Sequence, residues 1–425
     1  MNILRLPFKY LMAKPLSTVL NVLLFAFGIG IINLLIIANK QVSNNLVNNA
    51  KGIDMVVGAK GSPLQIILCS IFHIDFPTGN IQLYEAEQLA RKRLVKNVIP
   101  LALGDSYQGS RIVGTTAAYV AHYNGVLDKG DLFHNDLEVV LGSNTAEKLG
   151  LTVGSTFTGQ HGMSEGAYDH EGHAYQVVGV LKLSGTVLDD LILCSVPSVW
   201  EMHAEEEVHD PHEAHEAHEG HETHAQEEKR LKVVSDLHRS DLDSSMQITS
   251  MLVQFRSPMG AVQLPRMINE KTNMQAAIPA FEITRLISIM GNAISVMNAL
   301  GIVLVAVALL SVFISLFNAL KERKYDLAIL RTMGGTPIFL LSLIVVEGML
   351  LMFFGCSLGI LLVHGGLELA LNSLDTLQKS GIDGTIFYRE ELYIVLMALL
   401  AGVVVAIIPA VAAYKTDISK ILGDK

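Results

Sequence analysis

The chain has 425 residues, of which 50% are hydrophobic and 17% charged, with a mean hydropathy of +0.41. That balance is too apolar for an ordinary soluble protein and too polar for one lying wholly within a membrane, so a membrane portion plus a sizeable aqueous domain is expected. The formal net charge of −10 comes largely from one segment of the aqueous part, and the absence of a basic patch outside the membrane flanks excludes nucleic acid as a partner.

Four runs, at 17–38, 290–319, 338–364 and 392–414, are long enough to cross a bilayer, which takes about 20 apolar residues. The first follows Arg5, Lys9 and Lys14, but its apolar stretch is longer than that of a cleaved signal peptide and no A-x-A site follows. It reads as a retained signal-anchor. Lysine and arginine in the short flanks set the orientation. Segment 1–16, the loop 321–337 with Lys321, Arg323, Lys324 and Arg331, and the tail 415–425 with Lys415, Lys420 and Lys425 are the basic ones. The loop 365–391 has only Lys379 and Arg389 against five carboxylates. Both termini and 321–337 are therefore expected in the cytoplasm, and 39–289 outside.

In that outer region, 39–49 reads as a polar helical continuation of the first span. A strand is expected at 54–59 and a turn at 61–63, and 66–72 is too short to span, so it is a buried strand or packed helix. A helix at 84–94 ends in basic residues, which suits a helix C-terminus. Next come a strand at 137–142, a helix at 143–149 closed by Gly150, and a strand starting at 156–158. Segments 175–182 and 191–195 read as a hairpin-like pair around Ser184 and Gly185. A strand at 249–255 and a helix at 260–271, interrupted by Pro265, complete an α+β domain without internal repeats. Cys356 lies in a span, whereas Cys69 and Cys194 are external and in an oxidising compartment are open to pairing.

Catalytic signatures are lacking. Residues 109–116, GSRIVGTT, have phosphate-loop glycine spacing, but Thr115 stands where the lysine should be, so a β-turn region is the better reading. ATP chemistry must then come from a partner. There is no G-x-S-x-G elbow and no H-E-x-x-H helix, since each His-Glu pair at 212, 215, 218 and 221 is followed by histidine at i+3, so a hydrolase is not supported.

Residues 203–228 are unusual. His209, His212, His215, His218, His221 and His224 recur every third residue after His203, interleaved with Glu213, Glu216, Glu219 and Glu222. A three-residue step drifts about 60° around a helix, so the six spiral instead of sharing a face, although adjacent i,i+3 pairs can chelate. A low-complexity loop is the alternative conformation. Imidazole with nearby carboxylates favours Zn²⁺ or another transition metal. The competing reading is a solvated acidic insert that binds metal incidentally.

The loop KERKYDLAILRTMGGTP at 321–337 is basic and amphipathic. Tyr325, Ala328, Ile329 and Met333 form one helical stripe, Gly334 and Gly335 end the helix, and Pro337 starts the next span. It resembles the cytoplasmic coupling helix of the MacB/FtsX/LolC-E type (type VII) of ABC transporter permease. The residues carrying that likeness are Glu322, Arg323, Asp326, Leu327, Leu330, Arg331, Gly334 and Gly335, with Ala328 where MacB-like members have glycine. Similarity extends to FKYLMAKPLSTVLNVLLFAFGIG, EVVLGSNTAEKLGLTVGSTF, YQVVGVL, Glu347 with Gly348, and PAVAAYKTDISKIL, whereas the histidine-rich segment departs from the family.

The resemblance implies four transmembrane helices and a MacB-like periplasmic α+β domain between the first two, with a porter-like part at 40–103 and 246–288 and an inserted part at 104–245. It implies a bacterial inner-membrane permease, not itself an enzyme, working as a homodimer or with a related permease beside two copies of an ABC ATPase. In it, Glu322, Arg323, Asp326 and Arg331 would contact the ATPase while Leu327, Leu330 and Met333 pack into its groove. The implied action is mechanotransmission that exports or extracts a lipoprotein, peptide or small amphiphile. The alternatives are an FtsX-like transducer that activates a periplasmic partner, and a component of a zinc-handling system with a periplasmic substrate-binding or metal-binding protein. No cofactor is required, with Zn²⁺ or another transition metal as the candidate ligand of the histidines.

Overall fold

The computed structural model describes residues 5–161, 174–203, 246–322, 329–330, 332–373 and 383–414. Helices α1 (Arg5–Ala13) and α2 (Pro15–Ala50) come first. Then follow β1 (Met55–Ala59), α3 (Pro63–Ser70), β2 (Ile81–Gln82), α4 (Leu83–Ala90), β3 (Val95–Tyr107), β4 (Ser110–Thr115), α5 (Ala117–His122), β5 (Leu127–Gly130), β6 (Glu138–Leu141) and α6 (Ser143–Leu149). The middle of the chain continues with β7 (Thr156–Phe157), β8 (Gln160–His161), β9 (Tyr175–Leu181), a 3₁₀ turn (Val187–Asp190), β10 (Leu191–Ser195), α7 (Val196–His203), β11 (Gln247–Ile248), β12 (Ser250–Phe255), α8 (Met259–Lys271) and β13 (Met274–Ala277). Three long helices end it: α9 (Pro279–Glu322), α10 (Pro337–Ser373) and α11 (Arg389–Tyr414). The chain forms two compact units, one of residues 44–287 and one of 1–43 with 288–425.

The first unit is built on an eleven-stranded mixed sheet whose main path runs β13-β1-β12-β3-β4-β10-β6-β9-β5. The long strand β3 is its spine: Val95–Leu101 pair with β12, and Ala102–Tyr107 with β4. It turns into β4 through Gln108 and Gly109, both at positive φ, the combination that a two-residue hairpin turn of matching twist requires. Residues 110–115 are thus a buried strand and not a phosphate cradle.

Both faces of the sheet are covered, because successive side chains of a strand point to opposite sides. Met55, Val57, Ile112, Ile192 and Cys194 join one apolar core with α4, α7 and α8. Val56, Val113, Leu191 and Leu193 join the other with α3, α5 and Leu188. Cys69 belongs to the second core and Cys194 to the first, so the two external cysteines are separated by the sheet and both are free thiols. Burial pushes the Cys69 thiol up to about 11, against the opposing pull of Arg111, and raises that of Cys194 further.

One open expectation is decided and two change. The run at 66–72 takes the helical alternative as far as Ser70, as Ser62 is extended and Pro63 opens α3, a position where proline costs no hydrogen bond. The helix expected to reach Leu94 stops at Ala90, with the Arg91 N–H closing on Glu87 O, because β3 starts at Val95. The segments at 175–182 and 191–195 are not a hairpin: β6 lies between them, antiparallel to β10 and parallel to β9. Their connection is a 3₁₀ turn that buries Leu188, with Asp189 accepting from the N–H groups of Ser184 and Gly185.

In the helical unit, α2, α9, α10 and α11 are each long and apolar enough to cross a membrane. Phe25, Ile29, Val312, Leu316, Leu351, Met352, Ala398 and Ala406 form its core. Glycines set the closest approaches: a Cβ on Gly359 would lie 2.7 Å from Ala26 O, and one on Gly355 would strike Phe25. Small residues at such crossings let spans pack where lipid removes any hydrophobic drive to associate.

His73 offers a test of the sheet domain. It is buried, bonded through Nε2 to Tyr119 Oη at 2.8 Å, and its Nδ1 has no hydrogen-bond partner among the described residues. Burial, with Arg111 nearby, lowers its pKa to about 3. The unfolded chain therefore binds this proton first, and stability should fall as pH drops from about 6.5 toward about 3, by about 1.4 kcal/mol per unit of separation. Thermal melts of the full chain should show that acid loss, and His73→Gln should flatten it.

Candidate coupling site

The segment between α9 and α10 is closed by defined local chemistry. Gly334 takes φ +96, and the Gly335 N–H donates to Leu330 O at 2.9 Å, the bond of a Schellman cap. Thr336 then caps α10, its Oγ1 accepting from the Phe339 N–H at 3.2 Å, with Pro337 at the first helical position. A tight reversal follows from the residues G-G-T-P alone.

At the other end of the segment, Lys321 Nζ sits 4.9 Å from the Phe317 ring centroid. Glu322, the last residue of α9, pairs with Lys14 at the joint between α1 and α2. That joint is held by Thr18 Oγ1 donating to Leu11 O at 2.9 Å, and α1 buries Pro7 and Leu11. Tyr10 of α1, Leu316, Ala319 and Leu320 of α9, and Leu343, Ile344 and Glu347 of α10 line one small pocket. Glu347 is 5% exposed there. A carboxylate at such a depth in an apolar helix is costly.

Among the residues singled out from sequence, Glu322, Leu330, Met333, Gly334 and Gly335 belong to this site. Arg323, Asp326, Leu327 and Arg331 lie outside the described residues. Leu330 packs against the apolar core of the helical unit and so supports the loop from within. Among the described residues of the segment, Met333, 78% exposed, and Ile329 are apolar side chains turned outward, one helical turn apart. Lys14 had a sequence signal only as a topology charge, and Glu347 one as a lone acid in an apolar run.

The histidine-rich segment is not brought into any described site. His203 ends α7, and His209, His212, His215, His218, His221 and His224 lie outside the described residues. Among the described residues, no group of three or more His, Cys, Asp or Glu side chains is arranged to hold a metal ion.

Comparison with known proteins bears on both units. A family model described as FtsX-like permease C-terminal matches residues 298–418, and one described as MacB-like periplasmic core domain matches residues 18–215. No curated protein sequence matches the chain. Among solved structures, the periplasmic region of MacB from Actinobacillus actinomycetemcomitans is similar over 57% of this chain and 97% of its own, at 13% identity and a TM-score of 0.33. The extracellular domain of the noncanonic ABC-type transporter YknZ from Gram-positive bacteria is similar over 52% of this chain and 98% of its own, at 13% identity and a TM-score of 0.29.

The Lys14–Glu322 pair is half-exposed on both sides, so it should contribute no more than about 1 kcal/mol and act mainly by positioning α1. Lys14→Glu and Glu322→Lys should each lower the thermal midpoint slightly. The double exchange should restore it, as read in a double-mutant cycle on the full chain.

Proposed function

Because the chain belongs to the MacB/FtsX family of ABC-type permeases, we propose that it is the membrane subunit of an ABC transporter that works by mechanotransmission. The observation that carries this reading is the continuity of α9. One helix of 44 residues, about 66 Å at 1.5 Å per residue, starts two residues after the last strand of the sheet domain and ends on the charged segment at 321–337. A continuous helix gives a displacement a direct path, because backbone hydrogen bonds tie each turn to the next.

In this mechanism, closure of two separate ATPase subunits moves the 321–337 segment. Ile329 and Met333 seat in a groove of the ATPase, and Glu322, Arg323, Asp326 and Arg331 make polar contacts around them. Movement passes along α9 and α2 to the periplasmic domain, which acts on a lipoprotein, peptide or small amphiphile. The chain sits in the inner membrane with both termini cytoplasmic and works as a homodimer. The exposed Val296, Leu300, Val303, Val307 and Leu310 of α9 leave an apolar face for lipid or for the second copy.

The test is a charge reversal at the docking segment. Asp326→Arg combined with Arg331→Glu should abolish permease-stimulated ATP hydrolysis while the dimer persists in size-exclusion chromatography. Normal turnover in the double variant would overturn the assignment.

A second activity is favoured by the histidine repeat at 209–224. The segment collects Zn²⁺ or a related metal at several weak, redundant sites, as i,i+3 imidazole pairs and alternating glutamates allow. Calorimetry on the full chain should give multiple zinc equivalents, and deletion of 203–228 should remove most of them. Unchanged binding after the deletion would refute metal collection and leave the permease reading intact.

A further inference from the structure

A buried polar cluster ties together three of the apolar helices at the end of α2 that leads into the sheet domain. Asn33 of α2 is 1% exposed and Glu391 of α11 is 4% exposed. Asn33 Nδ2 donates to Glu391 Oε2 at 3.1 Å. His364 of α10 places Nε2 2.9 Å from the same oxygen and Nδ1 2.6 Å from Gly384 O, with its ring stacked on Phe387. The second carboxylate oxygen accepts from the Tyr388 N–H at 2.8 Å. Two turns farther along α2, Gln41 exchanges two hydrogen bonds with the backbone of Asp383, at 2.7 and 2.8 Å.

This geometry fixes a proton count. A carbonyl oxygen only accepts, so Nδ1 carries a hydrogen. Nε2 facing a carboxylate oxygen then requires one more, either on Nε2 as an imidazolium donating to the carboxylate or on Oε2 as an acid donating to a neutral ring. In both arrangements the pair holds one proton and is neutral as a whole. Removing it sets the Nε2 lone pair against a buried carboxylate oxygen, and an uncompensated buried charge is strongly destabilising. The other charged groups facing the cluster are Lys40 of α2, paired with Glu390 of α11 at 2.6 Å, Glu368 of α10 beside Gly384, Asp383 of the 383–388 turn, and the exposed Arg389.

We propose that His364 and Glu391 form a one-proton latch that fastens this end of α2 to α10 and α11, and that loss of the shared proton opens it. For the permease reading, on which only this part of the proposal rests, the latch is the contact that must break when α2 moves against α10 and α11. Neither residue needs to touch a transported molecule, so both act as positioning residues.

Ile37, fully buried one turn above Asn33, reports opening. In the full-length permease reconstituted without any ATPase, Ile37→Cys should react slowly with a soluble maleimide at neutral pH. Its rate relative to a Leu183→Cys control on the exposed sheet domain should rise at alkaline pH by about tenfold or more, as expected when a buried pair loses one partner. Glu391→Gln should stay slow at alkaline pH, because its amide donates to neutral His364 and, once the Asn33 amide turns over, to Asn33 Oδ1, which has no hydrogen-bond partner among the described residues. Glu391→Ala should be fast at every pH. A pH-independent rate in the parent, or an unchanged alkaline rise in Glu391→Gln, would overturn the latch. If Glu391→Ala does not fold, the comparison of Glu391→Gln with the parent still decides. Failure of ATPase stimulation with the pH profile intact would count against the permease reading alone.

Discussion

Lipid offers apolar helices no hydrophobic reward for touching one another, so the helical unit depends on how closely its backbones can approach. The contact of Gly359 with Ala26 O expresses that constraint against a backbone atom, since no side chain fits there. Gly355 against Phe25 and Gly402 against Met352 repeat it along α10 and α11. Once α2 and α10 lie this close, Asn33 comes within reach of Glu391, and the polar cluster can form without water. The same packing sets α1 beside α10 and brings Lys14 to Glu322. The helix end at Glu322 therefore has a supported base.

The sheet domain solves a different problem. It must cover both faces of a large sheet from one chain. Strand β3 does this by changing partners along its length, so that the strands around β12 and those around β4 form one continuous surface. The division placed at residue 103 from family likeness falls in the middle of this strand. A force entering through β13 and β1 would thus reach β10 and β6 through hydrogen-bond ladders, with no flexible linker between.

Much of this was legible in the residues themselves. The four apolar runs, the polar extension of the first into 39–49, and the G-G-T-P reversal follow from local chemistry, and each appears in the structure. The misread hairpin shows the limit. Segments 175–182 and 191–195 do look like consecutive strands around Gly185, which takes positive φ. Their pairing was decided by β6, a strand about 35 residues earlier that inserts between them. The short run at 66–72 was ambiguous for a related reason: seven residues, six of them apolar, suit either element, and Pro63 with the core facing it made the choice. Leu330 and Met333 were both expected to pack against a partner, and sequence could not tell them apart: Leu330 packs on the core of the helical unit while Met333 is exposed.

By itself the sequence determined the membrane plan, the α+β class of the large domain, the helix-ending chemistry around Gly334 and the family to which the chain belongs, because each rests on composition or on neighbours within a few residues. Tertiary structure alone decided the rest. It separated Cys69 from Cys194 across a sheet, gave Lys14 to Glu322, and brought Asn33 to His364 and Glu391, each more than 300 residues away from it. Such groups acquire their chemistry from burial and partners, which chain neighbours do not specify.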